Sequence, residues 1–509
     1  MLCEKTWIEP HSIPYLQSAL VVASPDYGIA NSVIGTAKVL SGVNDASTYL
    51  DTLAAGQLVP ATISQTVFGL PRIVQIAQQT GTTVSQDGDN IVNALTTLAQ
   101  SSSGDPAALF DAALKSIQDA LNHIDQLLPT AESNLSTIIG SDVPDRLADS
   151  FGRIEIALKT LQSQIGTLKS SMLAAVAEAG STTSISTQIL TKHLTAKKVY
   201  NVLQTVRNLR AFLPVLRYTL NTSIEDAVEA DNYLQAYGSM LDTLAGLVTI
   251  VLQSLNTAEQ SFYGTVKSGI TNLSTAYTGM KELIQALGIV TDVPQLGADI
   301  MAMLSKFTTT LEATETDILS VATELQSYLN AIKAMVTISD PEVISISESK
   351  LIGALIKTLI SSGPYSRFCF NKYKVQVSDL ADYLLQESTV CVEREVPRLA
   401  NLGATVQSIL EMNAFDFEDI YDWLTICDGI QEPTDRAACV TRIAQSYTAL
   451  GDYFSDKYDL LFDLTTSEVN ASKQRVKICI NLSRRWLSDG YIPDLQDNIK
   501  QCALKGPNK

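Results

Sequence analysis

The sequence predicts an all-α protein, an elongated bundle of long antiparallel heptad-patterned helices with a disulfide-stapled helical hairpin at its C-terminal end. Three observations predict it. Apolar residues recur in alternating steps of four and three through three long segments, and six cysteines crowd together from Cys369 onward. No segment alternates apolar and polar residues between turn signals, as a half-buried strand would.

Composition sets the outer bounds. With 509 residues, 46 % hydrophobic and 18 % charged, the chain is too apolar to stay disordered. It also exceeds the size at which one core usually stops growing, so two or three cores, or one very long one, are expected. The net charge of −18 argues against wrapping a phosphate backbone, and no nucleic-acid partner is expected. The longest uncharged stretches, 52–71 and 243–258, are interrupted by small and polar residues, so no transmembrane segment is expected.

The elements follow in order. Residues 1–100 read as an irregular helical region of shorter helices, with loops near 56–60, 69–71 and 81–89 where Gly and Pro cluster. A long-helix bundle is expected over 101–345. Its first seam runs Phe110, Leu114, Ile117, Leu121, Ile124, Leu128, Ala131, Leu135, Ile138. Asp105 is its N-cap, Pro106 its first helical residue and Gly140 its stop, with a kink expected at Pro129. A second seam, Leu147 to Met172, opens after Asp142-Val143-Pro144 and closes at Gly180. A third, Ile300 to Leu325, opens after Asp292-Val293-Pro294 and breaks its apolar pattern only at Thr314. The second and third superimpose at an offset of 150, SDVP on TDVP and Leu161 on Leu311, which makes a diverged duplication a candidate. Between them, 186–290 reads as long helices with kinks or turns at Pro214, Gly238, Gly264 and Gly269. The uncharged stretch 243–258 reads as a buried central helix.

The third segment, 346–509, holds the six cysteines. Cys369 to Cys391 and Cys479 to Cys502 are nearly equal separations, so two antiparallel helical stretches of about 33 Å bring Cys369 beside Cys502 and Cys391 beside Cys479. Cys427 and Cys439 flank a turn containing Gly429 and Pro433. The nested pairing Cys369–Cys502, Cys391–Cys479, Cys427–Cys439 is therefore expected, with bends at Pro397 and Pro493. Without a CxxC or a nearby His, a metal site is not expected. Cys3 is left over and is a candidate for an interchain bridge.

The run from Cys369-Phe370 through ICDGIQEPTDRAACV to NLSRRWLSDGYIPDLQDNIKQC resembles the TsetseEP domain of dipteran insect secreted proteins, whose six cysteines are similarly placed on a helical background. The resemblance covers residues 363–509, and the Glu-Pro repeat that names the family is absent from this chain. It implies secretion by gut, salivary or reproductive epithelium, no catalytic residues, and a role at surfaces or in defence.

Compartment and chemistry complete the expectations. Sequons at Asn134, Asn221, Asn272, Asn470 and Asn481 are candidate N-glycosylation sites, and with the clustered cysteines they predict an extracellular protein. Because MLCEKTW contains no apolar core of a signal peptide, a leader removed before residue 1 is expected. His11, His123 and His193 lie far apart, and no nucleophile-elbow, zincin, Walker or dinucleotide motif occurs, so neither enzyme activity nor a cofactor is expected. The acids Asp416, Glu418, Asp419 and Asp422 lack the pattern of a calcium loop. They read as the charged face of a helix whose Phe415, Tyr421 and Trp423 make core contacts.

One basic run, Lys192, Lys197, Lys198, Arg207, Arg210 and Arg217, occurs without an intervening acid and is a candidate docking face. Pairing with acidic neighbours within the chain is the favoured explanation. The expected character is a structural or interaction protein acting through its surface or by self-association, with a second copy or another extracellular protein as partner. The alternative is a helical protein that binds lipid or microbial surfaces.

Overall fold

A computed structural model describes residues 26–102, 104–336, 343 and 345–506. Among these all regular structure is helical, with no strand beyond one isolated bridge between Asp26 and Ile29. In chain order the helices are α1 (Thr36–Asp51), α2 (Leu70–Gln100), α3 (Pro106–Ile139), α4 (Asp142–Ala179), α5 (Thr187–His193), α6 (Ala196–Ala286) and α7 (Gly288–Asp292). They continue with α8 (Pro294–Val336), α9 (Lys350–Ile360), α10 (Ser366–Glu393), α11 (Val396–Asp428), α12 (Pro433–Trp486) and α13 (Ile492–Lys505). The chain divides into two compact units, one of residues 1–232 and 359–367, the other of 233–358 and 368–509. Neither boundary matches the segments 1–100, 101–345 and 346–509 read from the sequence. The main division falls inside α6, where no Gly, Pro or loop signal marks it.

In the first unit the seam of α4 is buried throughout, whereas in α3 Leu114, Leu128 and Ile138 are only half-buried and Ala113, Ala120 and Ile139 join the core. Asp105 accepts a hydrogen bond from the Ala108 amide at 3.0 Å, Pro106 begins α3 and Gly140 ends it. All eight seam residues of α4, from Leu147 to Met172, are buried. Gly180 closes α4 in the left-handed conformation at φ 64°. Helix α3 continues through Pro129.

The loop expected at 81–89 is instead the middle of α2. Its glycines serve close packing, because a Cβ on Gly88 would lie 2.3 Å from a Leu50 methyl and one on Gly81 only 2.4 Å from the Leu53 carbonyl oxygen. The extended segment before α2 is held from α6. Asn221 accepts from the Val59 amide at 3.2 Å, and Asp231 from the Gln65 amide at 2.7 Å.

In the second unit α12 lies along α8. Ile300, Leu304, Phe307, Leu311, Ile318, Val321 and Leu325 are buried, as is Thr314, whose hydroxyl bonds the Leu311 carbonyl at 2.6 Å and so costs the core nothing unsatisfied. Helix α6 is continuous through Pro214, Gly238, Gly264 and Gly269, so none of these kink-or-turn candidates is a turn. The stretch 243–258 is not a buried central helix. Leu244, Val248, Val251 and Leu255 face inward, but Leu247 and Ile250 are exposed.

The three disulfides are those the spacing predicts: Cys369–Cys502, Cys391–Cys479 and Cys427–Cys439, with Cα–Cα distances of 5.9, 5.9 and 5.7 Å. Pro397 and Pro493 each sit in the first turn of a new helix. A five-residue π-helical segment, Leu487–Tyr491, joins α12 to α13.

Candidate functional site

The most developed polar cluster lies in the second unit, at the start of α11. Glu395 is buried yet carries a full set of partners from two helices. Arg475 of α12 donates to its two oxygens at 3.0–3.2 Å, Arg398 donates from one turn on, and Ser472 donates at 2.8 Å. The Ser472 hydroxyl also lies 3.2 Å from that of Tyr328 on α8. Burial pulls the Glu395 carboxyl upward, but the hydrogen bonds and charges of Arg475, Ser472 and Arg398 outweigh it and hold it below the ordinary value. A shallow depression lined by Arg398, Leu402, Glu468, Ser472 and Arg475 opens over the cluster.

Glu259 of α6 is the opposite case. It is buried and one of its carboxyl oxygens has no hydrogen-bond partner, so burial alone pushes its pKa to about 8. One carboxylate is therefore fixed as an anion and the other is held neutral. That divergence is what acid–base sites exploit, but the saturated partners of Glu395 also describe a structural knot.

The first unit contains an apolar cavity of about 60 Å³ where α1, α2, α3, α4 and α6 meet, lined by residues such as Leu50, Ile91, Phe151, Leu158 and Leu213. Asp87 is the one carboxylate in its lining, and it pairs with the Nδ1 of His123 at 2.8 Å. A space of that size would offer a few waters almost no polar partner, so it suits an apolar occupant.

The residues singled out from the sequence fall as follows. His193 pairs with Glu178 at 2.6 Å, and Lys192 shares the same carboxylate. Lys198 donates to Ser171 and to the His193 carbonyl oxygen, and Arg210 faces Asp45 at 3.7 Å while lying over the Tyr49 ring. Lys197 and Arg207 stay exposed, and Arg217 is half-buried, so three of the six residues of the basic run are tied into the chain and it is not a continuous free face. Of the sequons, Asn272, Asn470 and Asn481 are exposed, Asn134 is half-buried, and Asn221 is half-buried with its amide oxygen engaged. Cys3 and His11 lie outside the described residues. Among the described residues no group of three or more His, Cys, Asp or Glu is placed to hold a metal ion.

One expectation is overturned in α11. Phe415 and Trp423 are 62 % and 61 % exposed, and Phe417, Ile420 and Leu424 take the core positions instead, with Tyr421 packed at the edge of that core. The inward register starts at Val406 and Leu410 and steps past both aromatics. Of the nearby acids, Asp416 pairs with Lys457 at 3.1 Å.

By length and composition one described helix, α6, could cross a membrane, since it holds an 18-residue window of mean hydropathy 1.4. Asp242 and Glu259 bracket its uncharged run at sixteen residues. No family model, no curated protein and no solved structure matches the chain. Its fold and site define a class, an all-helical, disulfide-stapled bundle.

Proposed function

We propose that this chain is a secreted, non-catalytic interaction protein that works through its exposed helical faces, by self-association or by docking another extracellular protein. One observation carries the reading: the unit closed by three disulfides also displays rows of exposed apolar side chains on α11 and α12. Disulfides persist in oxidising compartments, and contiguous exposed apolar surface is a mark of interaction sites. The exposed sequons Asn272, Asn470 and Asn481 and the resemblance of the cysteine pattern to TsetseEP-domain proteins support secretion into an insect extracellular fluid or epithelial lumen.

Intact mass of the natively purified protein, reduced and non-reduced, with and without glycan removal, tests the reading. Three bridges and glycan mass are expected. Six free thiols without glycan would place the chain in a reducing compartment and remove the proposal.

A second reading, binding of lipid or microbial surfaces, is favoured by the apolar cavity of the first unit and by exposed Leu247 and Ile250. It requires co-sedimentation with phosphatidylcholine–phosphatidylserine vesicles, and loses its support if all protein stays in the supernatant.

A further inference from the structure

Helix α12 buries one seam against α8 and carries a second, outward one. Leu460, Leu464, Ile478 and Leu482 are between 47 % and 69 % exposed and recur on one face of the helix. Positions 460, 464, 467, 471, 475, 478 and 482 fall in steps of four, three, four, four, three and four. That series reads the same from either end and centres on Ala471, a small residue. A helix face with such symmetry is complementary to itself in the antiparallel sense, because a two-fold axis through Ala471 sets Leu460 against Leu482 of a second copy and Leu464 against Ile478. The matched span is about 33 Å at 1.5 Å per residue.

Charge supplies the second, independent argument. The half of α12 before Ala471 is acidic at its flanks, with Asp456, Asp463 and Glu468, and the half after it is basic, with Arg475, Lys477 and Arg485. Parallel alignment would place acid on acid and base on base along the whole seam. Antiparallel alignment about Ala471 brings Asp456 beside Arg485 of the second copy at both ends of the seam, while Arg475 stays within its own chain, held by Glu395 and 3.7 Å from Glu468. Asp456 and Arg485 are both exposed, so each is free to make that contact, and flanking pairs of this kind set partner choice and orientation.

We propose that the outward face of α12 is a homodimer interface in which two copies pack antiparallel about Ala471. The inference rests on the self-association reading above and adds the face, the partner and the orientation.

The test is sedimentation equilibrium of the full chain in a Cys3→Ser background, so that a covalent link through Cys3 is not mistaken for it. The unsubstituted face is expected to dimerise reversibly. Asp456→Arg and Arg485→Asp, each alone, set like charges together twice per dimer and are expected to weaken association by about tenfold or more. An equimolar mixture of the two variants restores both ion pairs, and heterodimers of near parental affinity are expected. A chain that stays monomeric at about 100 μM, well above typical weak-dimer affinities, overturns both this interface and self-association. Dimerisation that neither single variant weakens overturns the interface alone, leaving self-association through another surface.

Discussion

Helices α3 and α4 of the first unit and α11 and α12 of the second are built on the same heptad principle, yet they differ on the faces turned away from their cores. On α3 and α4 that face is finished with charge. Lys115 pairs with Asp119, Arg153 with Asp149 and Lys159 with Glu155, each one turn apart, and Ile156 and Leu173 are the large apolar residues left exposed. On α11 and α12 the outer faces carry Met412, Phe415, Trp423 and Ile426, then Tyr453, Leu460, Leu464, Ile478 and Leu482. Apolar spacing at 3.5 residues builds a core in either case. What separates a completed surface from an interface is whether the remaining positions are ionic or apolar.

The sharpest way to break the comparison is to make the same chemical change on each side of it. Phe151 of α4 is fully buried and borders the cavity, so Phe151→Ala is expected to destabilise the first unit by about 3–5 kcal/mol. Trp423→Ala, which removes a larger ring from a solvated face, is expected to stay within about 0.5 kcal/mol of the parent at concentrations where the chain is monomeric. Hydrogen exchange in α4 and α11 reads the two units separately. Comparable losses in both would show that Trp423 is part of a core, and the contrast would fail.

Much of this architecture could be read from the sequence because its causes are local and periodic. The seams, Asp105 with Pro106, Gly140 and Gly180 are signals within one or two turns, and the nested disulfides follow from two matched separations. What could not be read depends on neighbours far along the chain. Gly81 and Gly88 look like loop residues until Leu50 and Leu53 are seen lying against them. Glu395 looks like one more surface acid, and only Arg475, 80 residues on, makes it the centre of a buried knot. Phe415 and Trp423 read as inward on chemistry alone, but the register of the seam turns them outward. Glu259 did leave a trace, as the single acid that ends an otherwise uncharged apolar run.

That acid makes the second unit the pH-sensitive side of the comparison. In the folded chain Glu259 keeps its proton up to about pH 8, whereas its ordinary value is 4.5. Folding therefore takes up a proton within that window. The group's penalty is absent below about pH 4.5, grows as pH rises and levels off above about 8, reaching on the order of 3 kcal/mol at pH 7. Glu259→Gln removes the titration, so the variant should match the parent near pH 4.5 and exceed it by roughly that amount at neutrality. Urea unfolding followed by tryptophan fluorescence suits the measurement, since Trp423 and Trp486 both lie in the second unit. Parallel pH profiles for the two proteins would mean that Glu259 is solvated and ionised.

The smallest expected effect concerns how the α11 seam is specified. Asn413 occupies a core position between Leu410 and Phe417, is fully buried, and makes no hydrogen bond of good geometry, its polar neighbour being the buried Tyr458 hydroxyl. Nothing comparable interrupts the seam of α4, whose residues from Leu147 to Met172 are all apolar. A buried amide without well-formed partners disfavours the fold, and Asn413→Leu, close in volume, is expected to raise the stability of the second unit by about 1–2 kcal/mol. A single buried Asn is retained in helical seams where it fixes register, because slipped alternatives bury it against still less suitable neighbours. The stabilised variant should therefore also show a looser α11, with faster hydrogen exchange in the turns flanking position 413 despite the higher midpoint. A gain in stability with unchanged or slower exchange would mean that Asn413 serves no specifying role, and that the two seams differ in cost rather than in kind.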